Sequence, residues 1–211
     1  MKKLFVLMAC LWSVTASAQF EGAKQVYESP NLKAKIAKHK VVAILPFDVT
    51  ITYRKQPKNF NAEANKEQQK SMAASIQQSM YTFLLRRGSD YSVSFQDVEK
   101  TNVLLRKAGM WGKLEEFTKD EVAKVLGVDA VIGGKFDTEQ TKSEGAAIAT
   151  SVLFGVGGKT GTGTVFLTLN DHDGESLWRF FKTMDDTIMS STDDLVERMM
   201  RKISRNFPYM K

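Results

Sequence analysis

The chain has 211 residues, 43% of them hydrophobic, with 30 Lys and Arg against 24 Asp and Glu and a formal net charge of +6. Its one cysteine is Cys10, so a chain cut beyond that point holds no disulfide, thiol nucleophile or thiolate metal site and depends on an ordinary core. The length allows such a core, since a domain of this size buries roughly 70% of the surface of its unfolded chain.

The first 18 residues have the three parts of a secretory leader. Lys2 and Lys3 supply the positive start, Leu4 to Val14 is apolar apart from Ser13, and Ala16-Ser17-Ala18 offers the small side chains a signal peptidase needs. The apolar run is too short for the roughly 20 residues of a bilayer span. Cleavage is expected between Ala18 and Gln19, which removes two basic residues and leaves a charge of +4. The alternative is a lipobox, Leu7-Met8-Ala9-Cys10, in which Cys10 is acylated and begins the mature chain.

A basic lead, residues 19–40, follows, with Ser29-Pro30 placed to start a short helix reaching Lys38. Residues 41–211 read as a single domain. Val41 to Phe47 is a continuous apolar run, as in a strand buried on both faces, and Pro46 cannot donate to a ladder, so pairing breaks or bulges there. Tyr53 to Phe60 is a polar loop. Between Asn61 and Arg87, Met72, Ile76, Met80, Phe83 and Leu84 recur at helical spacing, with Gly88 as the stop.

Tyr91 to Phe95 alternates as a short strand and Val98 to Lys107 reads as a helix ending at Gly109. Thr118-Lys119-Asp120-Glu121 is a capping box for a helix that Gly127 ends. Asp129 to Phe136 returns as a strand whose Gly133 and Gly134 suggest a bulge or a close backbone approach. Thr162 to Asn170 and Ser176 to Thr183 form a hairpin around Asp173-Gly174, read as a two-residue turn. Ser190 and Ser191 cap a last helix with Leu195, Met199, Ile203 and Phe207 in one stripe, closed by Pro208. This order predicts an α/β (α+β) protein with a single mixed β-sheet packed with helices.

Chemical motifs mostly fail on inspection. Gly158-Lys159-Thr160 resembles the end of a phosphate loop, but the glycine required five residues earlier is Leu153. His172 lies between Asp171 and Asp173 on the expected turn, where Asp and Gly serve the backbone, and His39 lies in a different element. Glu115-Glu116, Asp185-Asp186 and Asp193-Asp194 are adjacent in sequence and do not converge. No catalytic residue, cofactor, metal or nucleic acid is expected.

The basic residues gather at the ends, Lys24, Lys33, Lys35, Lys38, His39 and Lys40 in the lead and Arg198, Arg201, Lys202, Arg205 and Lys211 in the tail. They suit a solvated surface or, outside the cytoplasm, an anionic partner. The segment from Ala146 to Val156 is apolar and flanked by glycine. It suits a buried strand, an exposed docking loop or half of a barrel hairpin, and Ile148, Val152, Leu153, Phe154 and Val156 are the candidate interaction residues.

The strand Val42 to Phe47, the run Leu126 to Gly134, and Phe166 to Asp171 with Gly174 to Trp178 occur in the order seen in bacterial envelope proteins. The chain resembles the group of the curli-secretion channel (CsgG), the penicillin-binding-protein activator lipoproteins and the TolB N-terminal domain. The resemblance implies an anticodon-binding-domain-like fold. Phe154 to Gly158 is similar to the first membrane hairpin region of the curli channel, but Leu177 to Thr187 leaves no room for a second one. The expected role is a non-enzymatic periplasmic or outer-membrane-associated accessory protein, acting in envelope assembly or secretion by contact with a protein partner. It would have membrane association and homo-oligomerisation open to it. The alternatives are an oligomeric secretion-channel component and an envelope hydrolase.

Overall fold

The order of elements in the computed structural model, which describes residues 24–56, 58–140, 161–184, 192–203 and 206–211, is set by alternating apolar runs and helical stripes. It runs β1 (Lys24–Glu28), α1 (Leu32–Ile36), β2 (Val41–Ile44), β3 (Asp48–Tyr53), α2 (Ala62–Arg86), β4 (Ser94–Phe95), α3 (Val98–Lys107), α4 (Lys119–Leu126), β5 (Ala130–Gln140), β6 (Gly161–Asp171), β7 (Ser176–Met184) and α5 (Thr192–Ile203). The strands form one open mixed sheet in the order β1-β7-β6-β5-β2-β4, with β3 also pairing β5. The mixed α/β sheet expected from sequence is the one observed.

The bulge expected at Pro46 sits between β2 and β3, which are two parts of one edge along β5. Ile44 pairs with Ile132 and Asp48 with Lys135, so Leu45, Pro46 and Phe47 face only Gly133 and Gly134. Proline removes a ladder donor, and the extra residue lets the chain step around it. The ladder is parallel on this side of β5 and antiparallel from β5 through β6 and β7 to β1.

Alternation along the strands divides the core. Val42, Ile44, Ala130, Ile132, Phe136, Val165, Leu167 and Phe180 turn to one face, where Ile76, Met80, Phe83 and Leu84 of α2 and Val196, Met199, Met200 and Ile203 of α5 cover them. Ala43, Leu45 and Val131 turn to the other face and meet Leu105 of α3 with Val122, Ala123 and Leu126 of α4. The double burial of β2 follows from this, and Val42, Ala43 and Ile44 are each 0% exposed. Gln77 of α2 crosses the layers, donating to Ile44 O at 2.8 Å and to Asn102 Oδ1 at 3.1 Å.

Helix ends follow the sequence closely. The Asn61 side chain accepts from the N–H groups of Glu63 and Ala64, and Asp97 caps α3 by accepting from Lys100 N–H. The Thr118–Glu121 capping box forms, and Gly127 ends α4 in the left-handed region at φ 64°.

Four expectations need correction. Part of the basic lead is β1, an edge strand paired with β7 from Lys24↔Lys182 to Glu28↔Trp178, and α1 spans only Leu32–Ile36. Residues 48–53, left without an element in the sequence, are strand β3. The β6–β7 turn is a three-residue loop. Gly174 N–H donates to Asp171 O and Asp171 N–H to Glu175 O, both at 2.9 Å, with Gly174 at φ 90°. A type I turn closed by a left-handed glycine has this form, whereas two-residue turns take primed geometries. Finally, α5 is described to Ile203, and buried Phe207 follows in the tail, where it packs at right angles to Tyr91 and Trp178. The Ser190-Ser191 cap lies outside the described residues.

Candidate functional site

The loop that ends β6 places Asp171 at the meeting point of three distant segments. From the stretch around α1 come Lys35, whose Nζ donates to Asp171 Oδ2 at 2.6 Å, and His39, whose Nε2 lies 2.8 Å from Oδ1. Lys35 also pairs with Asp173 and, at 3.1 Å, with Glu175. From the C-terminal tail comes Tyr209, whose hydroxyl lies 2.6 Å from His39 Nδ1. His172 Nδ1 is 3.2 Å from Asp171 Oδ1, although its ring is exposed. Two of the residues read as a solvated basic surface, Lys35 and His39, are therefore internal partners, and the two histidines share one carboxylate.

The electrostatics favour an ionised Asp171. Burial pushes the Asp171 carboxyl up, but hydrogen bonds from Lys35, His39 and His172 overcome it and hold the group well below the usual carboxylate range. An ionised carboxylate only accepts, so His39 Nε2–H donates to it, and the Tyr209 hydroxyl and His39 Nδ1 share the second hydrogen bond. Burial, with the nearby Asp171 and Asp129 charges, pushes the Tyr209 phenol far above its ordinary value. Hydrogen bonds to Asp171 and Asp173 raise the Lys35 ammonium in turn.

Tyr209, His39 and Asp171 stand in the order hydroxyl, base and orienting acid that nucleophilic catalysis uses. The chemistry runs the other way here. Tyr209 is 1% exposed, so its oxygen meets no substrate, and a raised phenol pKa makes it a poorer nucleophile. The triad joins the lead, the β6–β7 turn and the C-terminal tail. Ser29 and Asn31 extend it by donating to Glu175 Oε1 at 2.7 and 3.2 Å.

A cleft of about 400 Å³ beside this cluster is lined by Asp120, Lys124, Asp129, His172 and Asp173. One Asp129 oxygen already accepts from Lys40 and Val41 N–H, at 2.7 and 2.9 Å. Among the described residues no set of His, Cys, Asp and Glu converges on a metal position. A second groove of about 680 Å³ opens at the β2–β3 bulge, with Phe47 and Trp111 on its walls and Lys66, Lys70 and Lys119 at its rim.

A third surface lies on the sheet itself. Among the described residues, the face of β6, β7 and β1 turned away from α2 and α5 carries half-buried Phe166 and Phe181 as a cross-strand pair. The Arg179 guanidinium lies 4.9 Å over the Phe166 ring, and exposed Tyr27 and Gln25 of β1 continue the patch around a cleft of about 560 Å³.

The local run Asp171-His172-Asp173 is weighed in the sequence as a turn, and the partners that make it a cluster, His39 and Lys35, are 132 and 136 residues away. The expected interaction residues Ile148, Val152, Leu153, Phe154 and Val156 lie outside the described residues, as do Cys10, the Ala18 cleavage position and Gly158-Lys159-Thr160.

No family model matches the chain, and no curated protein matches it. Among solved structures the chain is similar to lipoprotein GNA1162 from Neisseria meningitidis, at 12% identity and a TM-score of 0.43 over 79% of this chain and 99% of that one. It is also similar to the PelC dodecamer from Paraburkholderia phytofirmans, at 14% identity and a TM-score of 0.43 over 90% of this chain and 99% of that one. Neither is described as a curli channel, a penicillin-binding-protein activator or a TolB domain.

Proposed function

We propose that this chain is an exported, non-enzymatic accessory protein of a bacterial envelope that works by binding a protein partner on the aromatic face of β6, β7 and β1. The observation that carries this reading is the Phe166–Phe181–Arg179–Tyr27 face. Among the described residues α2 and α5 pack one side of these strands, and aromatic and arginine side chains meet on the other. Aromatic residues and arginine supply most of the binding energy at protein interfaces, because they bury much area and still offer a polar or cationic contact. Four charged groups of the most chemistry-like cluster, by contrast, are occupied with one another: Lys35 with Asp171, Asp173 and Glu175. The leader through Ala18 supplies the export.

A photo-crosslinking side chain placed at Arg179 in the native cell tests the reading, with the same group at Lys100 on α3 as control. Discrete protein adducts at Arg179 and none at Lys100 are expected. No adduct at Arg179, or full-length protein held in the cytosol with its leader intact, overturns it.

A further inference from the structure

We infer that β1 is the contact through which a second copy of this chain adds to the sheet, by antiparallel pairing of the two β1 strands about Val26. This goes beyond the partner-binding reading, because it concerns the strand edge and not the sheet face.

The backbone is ready for it. Ser29 N–H donates to Leu177 O at 2.8 Å, and in an antiparallel ladder the residues that bond the partner alternate. Gln25 and Tyr27 therefore turn their N–H and C=O groups to β7, across from Phe181 and Arg179. Lys24, Val26 and Glu28 turn theirs outward, and among the described residues no strand takes them. A free edge with three aligned donor and acceptor sets is a template for another strand.

The side chains select which strand. In the sequence Lys24-Gln25-Val26-Tyr27-Glu28, a two-fold axis at Val26 sets Lys24 of each copy opposite Glu28 of the other, and Val26 opposite Val26. Both charges are exposed, and neither makes an ion pair among the described residues. Opposite charges directly across a ladder favour pairing and like charges oppose it. The same axis makes Lys24, Val26 and Glu28, the residues with outward backbone groups, the hydrogen-bonded pairs. Charge register and hydrogen-bond parity thus agree on one alignment.

A shift of two residues would break both ion pairs, and Pro30, which lacks an N–H, prevents the ladder from extending past Ser29. Val26 and Tyr27, 38% and 50% exposed, would be covered at the seam. Tyr27 of each copy would then lie diagonal to its counterpart, joining the two Phe181–Phe166 faces into one.

Light scattering of the purified exported protein across a concentration series is the test. The expected result is a monomer mass at low concentration that doubles at high concentration. Glu28→Lys, which sets like charges across the seam, should raise the dimer dissociation constant about tenfold or more, and Val26→Pro should abolish the doubling. The charge swap Lys24→Glu with Glu28→Lys restores complementarity and should restore the dimer, which separates a pairing effect from misfolding. A monomer mass throughout, a larger assembly indifferent to Glu28→Lys, or a swap that fails to rescue a folded variant overturns the inference. Crosslinking at Arg179 reads the sheet face separately, so either result can fail alone.

Discussion

The ring of Phe47 fills the place where Gly134 would carry a side chain. A methyl added to Gly134 would stand 2.2 Å from Phe47 Cε1 and 2.4 Å from Cζ. Phe47 is 5% exposed and belongs to the core beneath α2, so the ring must leave its packed position to admit a methyl. The bulge around Pro46 delivers Phe47 to this spot, and the glycine across from it makes the room.

Gly134→Ala is therefore expected to destabilise the fold by about 2–3 kcal/mol, the upper part of the usual range for overpacking. Chemical denaturation measures it. Phe47→Leu in the same background should recover part of the loss, since a smaller side chain vacates the contact. If Gly134→Ala is neutral, the Phe47–Gly134 contact does not constrain the bulge.

Gly127 gives a contrasting case. It ends α4 at φ 64°, and a Cβ there would meet nothing within 4 Å. Only backbone strain opposes a side chain, so Gly127→Ala should cost about 1–2 kcal/mol and Gly127→Asn less, because asparagine tolerates the left-handed region. Thermal unfolding of the two variants side by side checks the order. Equal losses would mean that packing and not backbone conformation governs the position.

The hydrogen bond between Tyr209 and His39 anchors the C-terminal tail. Removing the hydroxyl in Tyr209→Phe leaves His39 Nδ1 buried without its partner, which should cost about 1–2 kcal/mol. Ser92 N–H donates to Tyr209 O and Lys211 N–H to Asp90 O, both at 2.9 Å, so the tail is also held by backbone. The expected signature is therefore local. Amide exchange should quicken around residues 207–211 more than in β5 or β6, and uniform quickening would refute a tail-specific role.

Most of the scaffold was legible because its signals are local. The capping box at Thr118, the stripe from Ile76 to Leu84 and the alternation of Val165, Leu167 and Leu169 each require only neighbours in sequence. β3 was legible in principle, since Val49, Ile51 and Tyr53 alternate, but Pro46 marks an end to the strand before it. β1 was not, because all five of its residues are exposed and only the ladder with β7 makes it a strand. The Asp171 cluster escaped for a related reason. Asp171-His172-Asp173 is a good turn sequence on its own terms, and Lys35, His39 and Tyr209 reach it through tertiary structure alone.

That cluster sets the response to acid. The Asp171 carboxyl is held well below its ordinary value in the folded chain, chiefly by Lys35 and His39 acting against burial. A group depressed on folding stabilises the native state fully above its unfolded value of about 4, and that stabilisation is lost as pH falls toward the native value. Between about pH 5 and pH 2 the unfolded chain takes up a proton at this site while the native chain does not. Asp171→Asn should lower stability at pH 7 by about 1–3 kcal/mol, because it removes the buried carboxylate that accepts from His39 and Lys35 while Lys35 keeps Asp173 and Glu175. The variant should also lose stability less steeply on acidification than the parent. Denaturation midpoints measured from pH 7 to pH 3 decide it: parallel curves for the two proteins would show that Asp171 is not the carboxylate that acid unfolding titrates.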